Sequence, residues 1–234
     1  MKIDSGLFKK FIVKATLNGS LPSMVLQVSP DGIVAMQKDL SNAAMTHLSL
    51  DKCKIKELDI TDKLCIKSTL MLIKSLASFT GEIEIKKNQN VLSLFNADRQ
   101  IDIVLSSEEF IECNLPALPE SLKTAFDAGV NLNSEALKKI VTDMSIVSGK
   151  TITATFKDKK LELTTGEKGF DTIAVKTAAD YKDCSAKYGE LLANVINVVD
   201  DKINLAMKQD FPVQILETVD GITAKYIVAP LTEQ

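Results

Sequence analysis

The chain has 234 residues, 45% hydrophobic and 25% charged, with a formal net charge of −3. That is ordinary globular composition, with material for one large domain or two small ones. No run approaches the ~18 uninterrupted apolar residues of a membrane span, and Met1-Lys2-Ile3-Asp4 lacks a secretory apolar stretch, so an intracellular protein without membrane contact is expected.

In chain order, the first element predicted is an amphipathic helix over 7–18. Phe8, Phe11, Ile12 and Ala15 fall at i, i+3, i+4 and i+7, behind a polar N-cap candidate at Asp4-Ser5. Asp31-Gly32 is a hairpin signal, and Met45–Leu50 alternates like a strand. A second amphipathic helix is predicted over 67–78, followed at once by the strand candidate Glu82–Lys86. The segment 114–121, with Pro116 and Pro119, suits an extended connector.

A third helix is predicted over 134–148, where Leu137, Ile140, Val141 and Met144 repeat the spacing of the first. Strands are expected at Thr151–Phe156, Leu161–Thr165 and Asp171–Thr177. Gly166-Glu167-Lys168-Gly169 between them matches the GXXG of a phosphate-clamping loop, but its place between strands favours a hairpin connection. The fourth helix is predicted over 185–199, the fourth strand candidate of this half at Lys202–Ala206, and Asp220-Gly221 marks a last hairpin.

These elements are written twice. Residues 3–12 align with 132–141 at an offset of 129, and 67–83 with 187–203 at an offset of 120. The expected class is therefore α+β, with two similar domains, each of two helices packed on antiparallel sheet. The expected boundaries are 1–113 for the first domain, 114–125 for the connector and 126–234 for the second.

The charge is unevenly spread. The four helix windows hold eight lysines against three acids, a net +5, which leaves −8 for the remainder of a chain totalling −3. Lys67, Met71, Lys74 and Ser78 share one helix face, opposite Leu72, Ile73 and Leu76, while Lys10 and Lys14 form an i, i+4 pair. Lysines often do no more than solvate an outer face. The skew across all four windows argues for a basic helical layer.

Catalytic signals are sparse. His47, the single histidine, stands in the strand candidate with no nucleophile elbow near it, and there is neither a P-loop nor a GxGxxG. The four cysteines (Cys53, Cys65, Cys113, Cys184) lie far apart without CxxC spacing, so neither a disulfide framework nor a zinc site is indicated. Carboxylates show no magnesium-site spacing. No enzyme activity, metal or cofactor is expected.

Several motifs then carry a family resemblance: Ser5-Gly6-Leu7-Phe8-Lys9-Lys10, 133–146 with Lys138-Lys139 and Asp143-Met144-Ser145, Ser41–Leu48, and Asp210-Phe211-Pro212-Val213 through Ala229-Pro230. The chain resembles the trimeric DNA sliding clamps, proliferating cell nuclear antigen and its archaeal and T-even phage relatives. The resemblance implies the DNA clamp fold, ring-forming, with helices lining a hole for double-stranded DNA. It further implies the function of a polymerase processivity factor, whose partners are DNA polymerase, an ATP-dependent clamp loader and further copies of the chain. A partner-binding scaffold that does not encircle DNA is the alternative.

The residues expected to face DNA are Lys9, Lys10, Lys14, Lys67, Lys74, Lys138, Lys139 and Lys187. By resemblance, Ile101, Ile103, Leu105, Ile173 and Val175 lie at the subunit interface. A groove for partner peptides is expected from Ala43, Met45, Leu115, Pro212, Ile227, Ala229 and Pro230. The resemblance has departures: Asn194 stands where Lys74 stands in the first half, Glu190 lies near a position that is basic or polar in the family, and Ile227 replaces a tyrosine.

Overall fold

The computed structural model describes residues 1–107, 126, 128–146, 149–158, 160–165, 171–176 (the backbone only) and 182–231. The elements are β1 (Lys2–Asp4), α1 (Ser5–Ala15), β2 (Met24–Ser29), β3 (Gly32–Lys38), β4 (Ala44–Asp51), β5 (Asp62–Ile66), α2 (Thr69–Leu76), β6 (Glu82–Asn88), β7 (Val91–Phe95) and β8 (Gln100–Val104). The second half runs β9 (Ala128–Asn133), α3 (Ser134–Ile146), β10 (Ile152–Lys157), β11 (Lys160–Thr165), β12 (Asp171–Lys176), β13 (Cys184–Tyr188), α4 (Glu190–Val198), β14 (Lys202–Met207), β15 (Val213–Val219) and β16 (Ile222–Val228). Both halves pass through the same order: strand, helix, four strands, helix, three strands.

Pairing repeats as well. β1, β6, β7 and β8 lie side by side in that order, as do β9, β14, β15 and β16. The other four strands of each half run β5-β2-β3-β4 and β13-β10-β11-β12. The pairings with a described register are antiparallel. By contacts the chain divides into two compact units, one of Met1–Lys38, Thr46–Pro116 and Val219–Ala224, the other of Asp39–Met45, Ala117–Thr218 and Lys225–Gln234.

The duplicated pattern survives down to single hydrogen bonds. α1 begins at Ser5 and α3 at Ser134, while β6 begins at Glu82 and β14 at Lys202, reproducing both offsets read from the sequence. At the joint between them, the Ser5 amide donates to the Gly81 carbonyl at 2.8 Å and the Ser134 amide to the Asp201 carbonyl at 3.0 Å. The caps correspond too: Asp4 Oδ1 accepts from the Leu7 amide at 2.8 Å, Asn133 Oδ1 from the Glu135 amide at 3.0 Å.

In the first unit Phe8, Phe11, Ile12 and Ala15 are fully buried; α1 packs on α2, whose Leu72 and Leu76 are also buried. In the second, Leu137, Ile140 and Met144 of α3 are buried and α3 packs on α4, which buries Leu192, Val195 and Ile196. The two hairpin signals are met by tight turns. Asp220 and Gly221 both take left-handed φ, 55° and 82°, as a type I′ turn requires. Gly32 has φ 130°, and a Cβ there would lie 2.2 Å from the Leu50 carbonyl oxygen, so only glycine fits.

Three helices differ from expectation in their bounds, α1 running from Ser5 to Ala15 where 7–18 is expected. α2 starts at Thr69 because Ser68 caps it, Ser68 Oγ accepting from the Met71 amide at 3.3 Å. α4 starts five residues after 185, at Glu190, because 184–188 alternates inward Cys184, Ala186 and Tyr188 with outward Ser185 and Lys187, and so pairs as a strand. Lys67 and Lys187 therefore lie outside the helices. With the observed bounds, six lysines oppose three acids and the helical charge falls from +5 to +3.

A carboxylate locks the joint of the second unit. Glu217 is 3% exposed, and its Oε1 accepts from the Asp200 amide at 2.6 Å and the Asp201 amide at 3.3 Å, while Ser134 Oγ donates to the Asp200 carbonyl at 2.7 Å. Removing the acceptor leaves two part-buried amides unpaired, which costs on the order of 1 kcal/mol. Glu217→Leu is expected to lower the unfolding free energy measured in urea by that amount, and Glu217→Gln, which keeps a carbonyl acceptor, by clearly less; equal loss in both would contradict this role.

Candidate nucleic-acid and partner interfaces

Around α2, Met71 and Lys74 on the helix and Lys67 and Ser78 just beyond its ends are all exposed, while Leu72 and Leu76 are buried and Ile73 half-buried. Lys139 is also exposed, and Lys9 and Lys138 are half-buried. None of these lysines makes an ion pair among the described residues. Four lysines on or beside the strands of the first unit behave differently. Lys2 pairs with Glu57 at 2.7 Å, Lys56 with Glu82 at 2.7 Å, Lys86 with Glu84 at 2.8 Å, and Lys87 with Asp62. Cations on β1 and β6 are thus met by neighbouring carboxylates, whereas Lys9, Lys74, Lys138 and Lys139 of the helices make no such pair among the described residues.

Three residues expected in the basic layer sit elsewhere. Lys14 is 1% exposed, because its position in the last turn of α1 turns it inward beside Phe11 and Ala15. Lys10 is engaged with Asp220 at 2.8 Å. Lys187 stands on β13, exposed on the face opposite Cys184, Ala186 and Tyr188. α4 carries no cation and one acid, Glu190.

The second candidate region is an open groove between α2 and β8, lined by Ser68, Leu70, Met71, Lys74, Arg99 and Ile101, among others. β8 and β12 each end their sheet. Along β8, Ile103 and Leu105 turn inward and are buried, so they belong to the core of their own unit and offer no edge surface. The apolar surface left there comes from half-buried Ile101, Val104 at 70% exposure, and exposed Leu70 and Met71. The side chains of Ile173 and Val175, on β12, lie outside the described residues. Leu70 escapes the sequence reading, which takes Met71 only as part of the lysine-bearing face, although α2 is apolar nearly all round (Leu70, Met71, Leu72, Ile73, Leu76), the pattern of a helix with two faces to cover. Arg99 is legible as well: it is the one arginine among 28 basic residues.

The third region lies in the second unit, with β13 at its centre. Tyr188 Oη donates to the Phe211 carbonyl at 3.0 Å, the Ser185 amide to Gln209 Oε1 at 2.8 Å, and the Leu231 amide to the Lys187 carbonyl at 2.7 Å. Burial pushes the Tyr188 hydroxyl well above its ordinary pKa, with Cys184 and Asp210 adding to the effect, so it stays a neutral donor. These bonds hold the turn before Pro212 and the segment Ala229–Leu231 to the same strand. On its other side the segment is tied to the loop after β3, the Ala229 amide donating to the Ala43 carbonyl at 2.7 Å. Ala43, Met45, Pro212, Ala229 and Pro230 are half-buried; Ile227 is buried and can at most form a floor. Leu115 and the segment 166–169 lie outside the described residues. So does Cys113; Cys65 and Cys184 are buried and Cys53 exposed, all as free thiols. Among the described residues no cluster of metal-ligating side chains occurs, and no helix is long and apolar enough to cross a membrane.

The repeated βαββββαβββ unit defines the DNA clamp fold. In particular, the chain has the fold of proliferating cell nuclear antigen (PCNA). It is similar to PCNA of A. fulgidus solved with the C-terminal region of FEN-1 bound (15% identity, TM-score 0.81, covering 100% of this chain and 98% of that one). It is similar also to the PCNA2–PCNA3 complex of Sulfolobus tokodaii (15% identity, TM-score 0.79, both chains covered fully) and to PCNA of Entamoeba histolytica (19%, TM-score 0.81, 99% and 98%). No family model and no curated protein matches the sequence.

The lysines divide into testable classes. Lys14→Ala is expected to destabilise the protein by more than about 2 kcal/mol, the cost of emptying a packed, desolvated site. Lys9→Ala and Lys74→Ala should stay within about 0.5 kcal/mol of the parent. Chemical denaturation of the three variants checks this, and a Lys14→Ala protein as stable as the others would contradict it.

Proposed function

We propose that the protein is a sliding clamp: a non-enzymatic, intracellular ring of three chains that encloses double-stranded DNA and tethers DNA polymerase and other DNA-acting proteins. The supporting observation is the clamp fold over the whole chain, combined with Lys9, Lys74, Lys138 and Lys139, which make no ion pair among the described residues. Such a lining holds the phosphate backbone without reading sequence, so the ring can slide while topology retains it. A closed ring would be opened and placed on DNA by an ATP-dependent loader.

Ring closure is supported by the two sheet-ending strands. An edge strand is a template for pairing, and a head-to-tail contact between unlike edges closes into a ring when the rotation permits. On this reading the β8 edge, with Ile101, Val104 and the α2 groove, meets the β12 edge of the next copy, where Ile173 and Val175 would supply apolar contacts. The complex of PCNA2 with PCNA3 makes self-association between clamp chains a reasonable parallel. FEN-1's C-terminal region on the archaeal protein supports a groove for partner peptides, assigned here to Ala43, Met45, Leu115, Pro212, Ile227, Ala229 and Pro230. The scaffold that does not encircle DNA draws on one observation, the absence of any cation from α4.

The DNA-facing set is proposed as Lys9, Lys67, Lys74, Lys138 and Lys139, with Lys10 available once released from Asp220. Replacing Lys9, Lys74 and Lys139 together by alanine should reduce the slope of log affinity against log salt by roughly 2–3, about 0.9 for each lost phosphate contact. Fluorescence anisotropy with a labelled duplex over a salt series measures it. An unchanged slope would leave these lysines as solvated surface and favour the scaffold.

A further inference from the structure

α1 buries Phe8, Phe11, Ile12 and Ala15, and the opposite side of the helix stays in contact with solvent. Gly6, Lys10 and Val13 fall there at i, i+4 and i+7, so Lys10 stands in the middle of that stripe, with Lys9 at its margin. The two lysines differ in one respect. Lys9 makes no ion pair among the described residues, whereas Lys10 Nζ donates to Asp220 Oδ2 at 2.8 Å, from a residue 210 positions away in sequence.

Asp220 is held in place by its turn. It joins β15 to β16 with a left-handed φ of 55°, followed by Gly221 at 82°. The Asp51 amide donates to the Gly221 carbonyl at 3.0 Å, and a Cβ on Gly221 would stand 2.9 Å from Lys54 Cγ and Cε, so the chain of Lys54 lies against the turn. The turn belongs to the same compact unit as α1. Fixed backbone therefore delivers the carboxylate to Lys10. The pair is nonetheless open to solvent, 30% at the lysine and 59% at the aspartate, so another anion can reach it, and exposed pairs of this kind add little stability.

We propose that Asp220 is an internal counter-anion, which occupies Lys10 in place of a DNA phosphate and lowers the affinity of α1 for duplex DNA. The inference rests on the DNA-facing role proposed above for the helix lysines. A phosphate that takes Lys10 displaces Asp220 and leaves its carboxylate within about one Debye length (~8–10 Å) of the DNA backbone, so the contact gains less than that of an unpaired lysine. Lys9, Lys10 and Asp220 together present a net +1, where the two lysines alone would present +2. A ring retained by topology loses no retention through such weakening, and its lining is freer to slide.

Asp220→Asn tests this, because Asn-Gly suits a type I′ hairpin and keeps the turn while the charge is removed. Fluorescence anisotropy with a labelled duplex over a salt series compares the parent, Asp220→Asn, Lys10→Ala, their double variant, and the triple alanine variant of Lys9, Lys74 and Lys139. Asp220→Asn is expected to bind at least about threefold more tightly near ~0.1 M salt, and to steepen the slope of log affinity against log salt by up to about 0.9, one further phosphate contact. In the Lys10→Ala background the same substitution should steepen it clearly less. The melting temperature of Asp220→Asn should match that of the parent. Unchanged affinity in Asp220→Asn, alongside a flattened slope in the triple variant, would overturn the counter-anion and spare the DNA reading. Equal steepening with and without Lys10 would assign the effect to net charge alone and overturn the proposal too. A lower melting temperature without a gain in affinity would make the pair a structural clasp, with the same consequence. An unchanged slope in the triple variant would overturn the DNA reading, and this inference with it.

Discussion

Everything in each unit is referred to one joint, where the start of a helix is bonded to the turn that precedes a strand of the adjoining sheet. Ser5 donates its amide to Gly81, and Ser134 to Asp201, and in both cases the serine hydroxyl also donates to a carbonyl of that turn, Phe79 or Asp200. Both serines are buried, so these bonds are made out of water, where a missing partner would cost most. The joint sets where the helix leaves the sheet and therefore which of its faces is buried. Once Phe8, Phe11 and Ile12 in one unit, and Leu137 and Ile140 in the other, are committed to the core, the opposite faces are released from packing demands. Those faces carry the lysines.

Charge is arranged around that division. Carboxylates answer the lysines of β1 and β6, and such exposed pairs add little stability, about 0–1 kcal/mol each. Their effect is better seen as local neutralisation of the surface around β1 and β6. On the proposed function, a chain that is acidic overall offers its basic helical surface to a phosphate backbone. α4 departs from this arrangement, and Lys10 shares its charge with Asp220, so the basic surface is concentrated on α1, α2 and α3.

Much of the architecture was legible in the sequence because apolar periodicity and the two offsets are local signals that burial enforces. The nine-residue difference between the offsets falls between the helices of each half, where the first half carries a longer passage from β4 to β5 with a single 3-10 turn at Lys52–Lys54. What was misread depended on context that spacing does not encode. Cys184–Tyr188 satisfies a helical and an alternating pattern at once, and Gly189 settles it by opening α4 afterwards. Lys14 looked like one of an outward pair with Lys10, yet the end of α1 turns it into the core. Ile103 and Leu105 alternate as an edge strand should, but their face is the inner one.

The central claim is that the chain closes into a ring of three through the free edges β8 and β12. Sedimentation equilibrium of the purified protein at micromolar concentration tests it most directly, with Val104→Glu as the partner measurement, since Val104 is exposed and its replacement should leave the fold intact. The account predicts a mass three times that of the 25.5 kDa chain for the parent and a monomer for Val104→Glu. A parent protein that sediments as a monomer or dimer, or a Val104→Glu variant that stays trimeric, would contradict it.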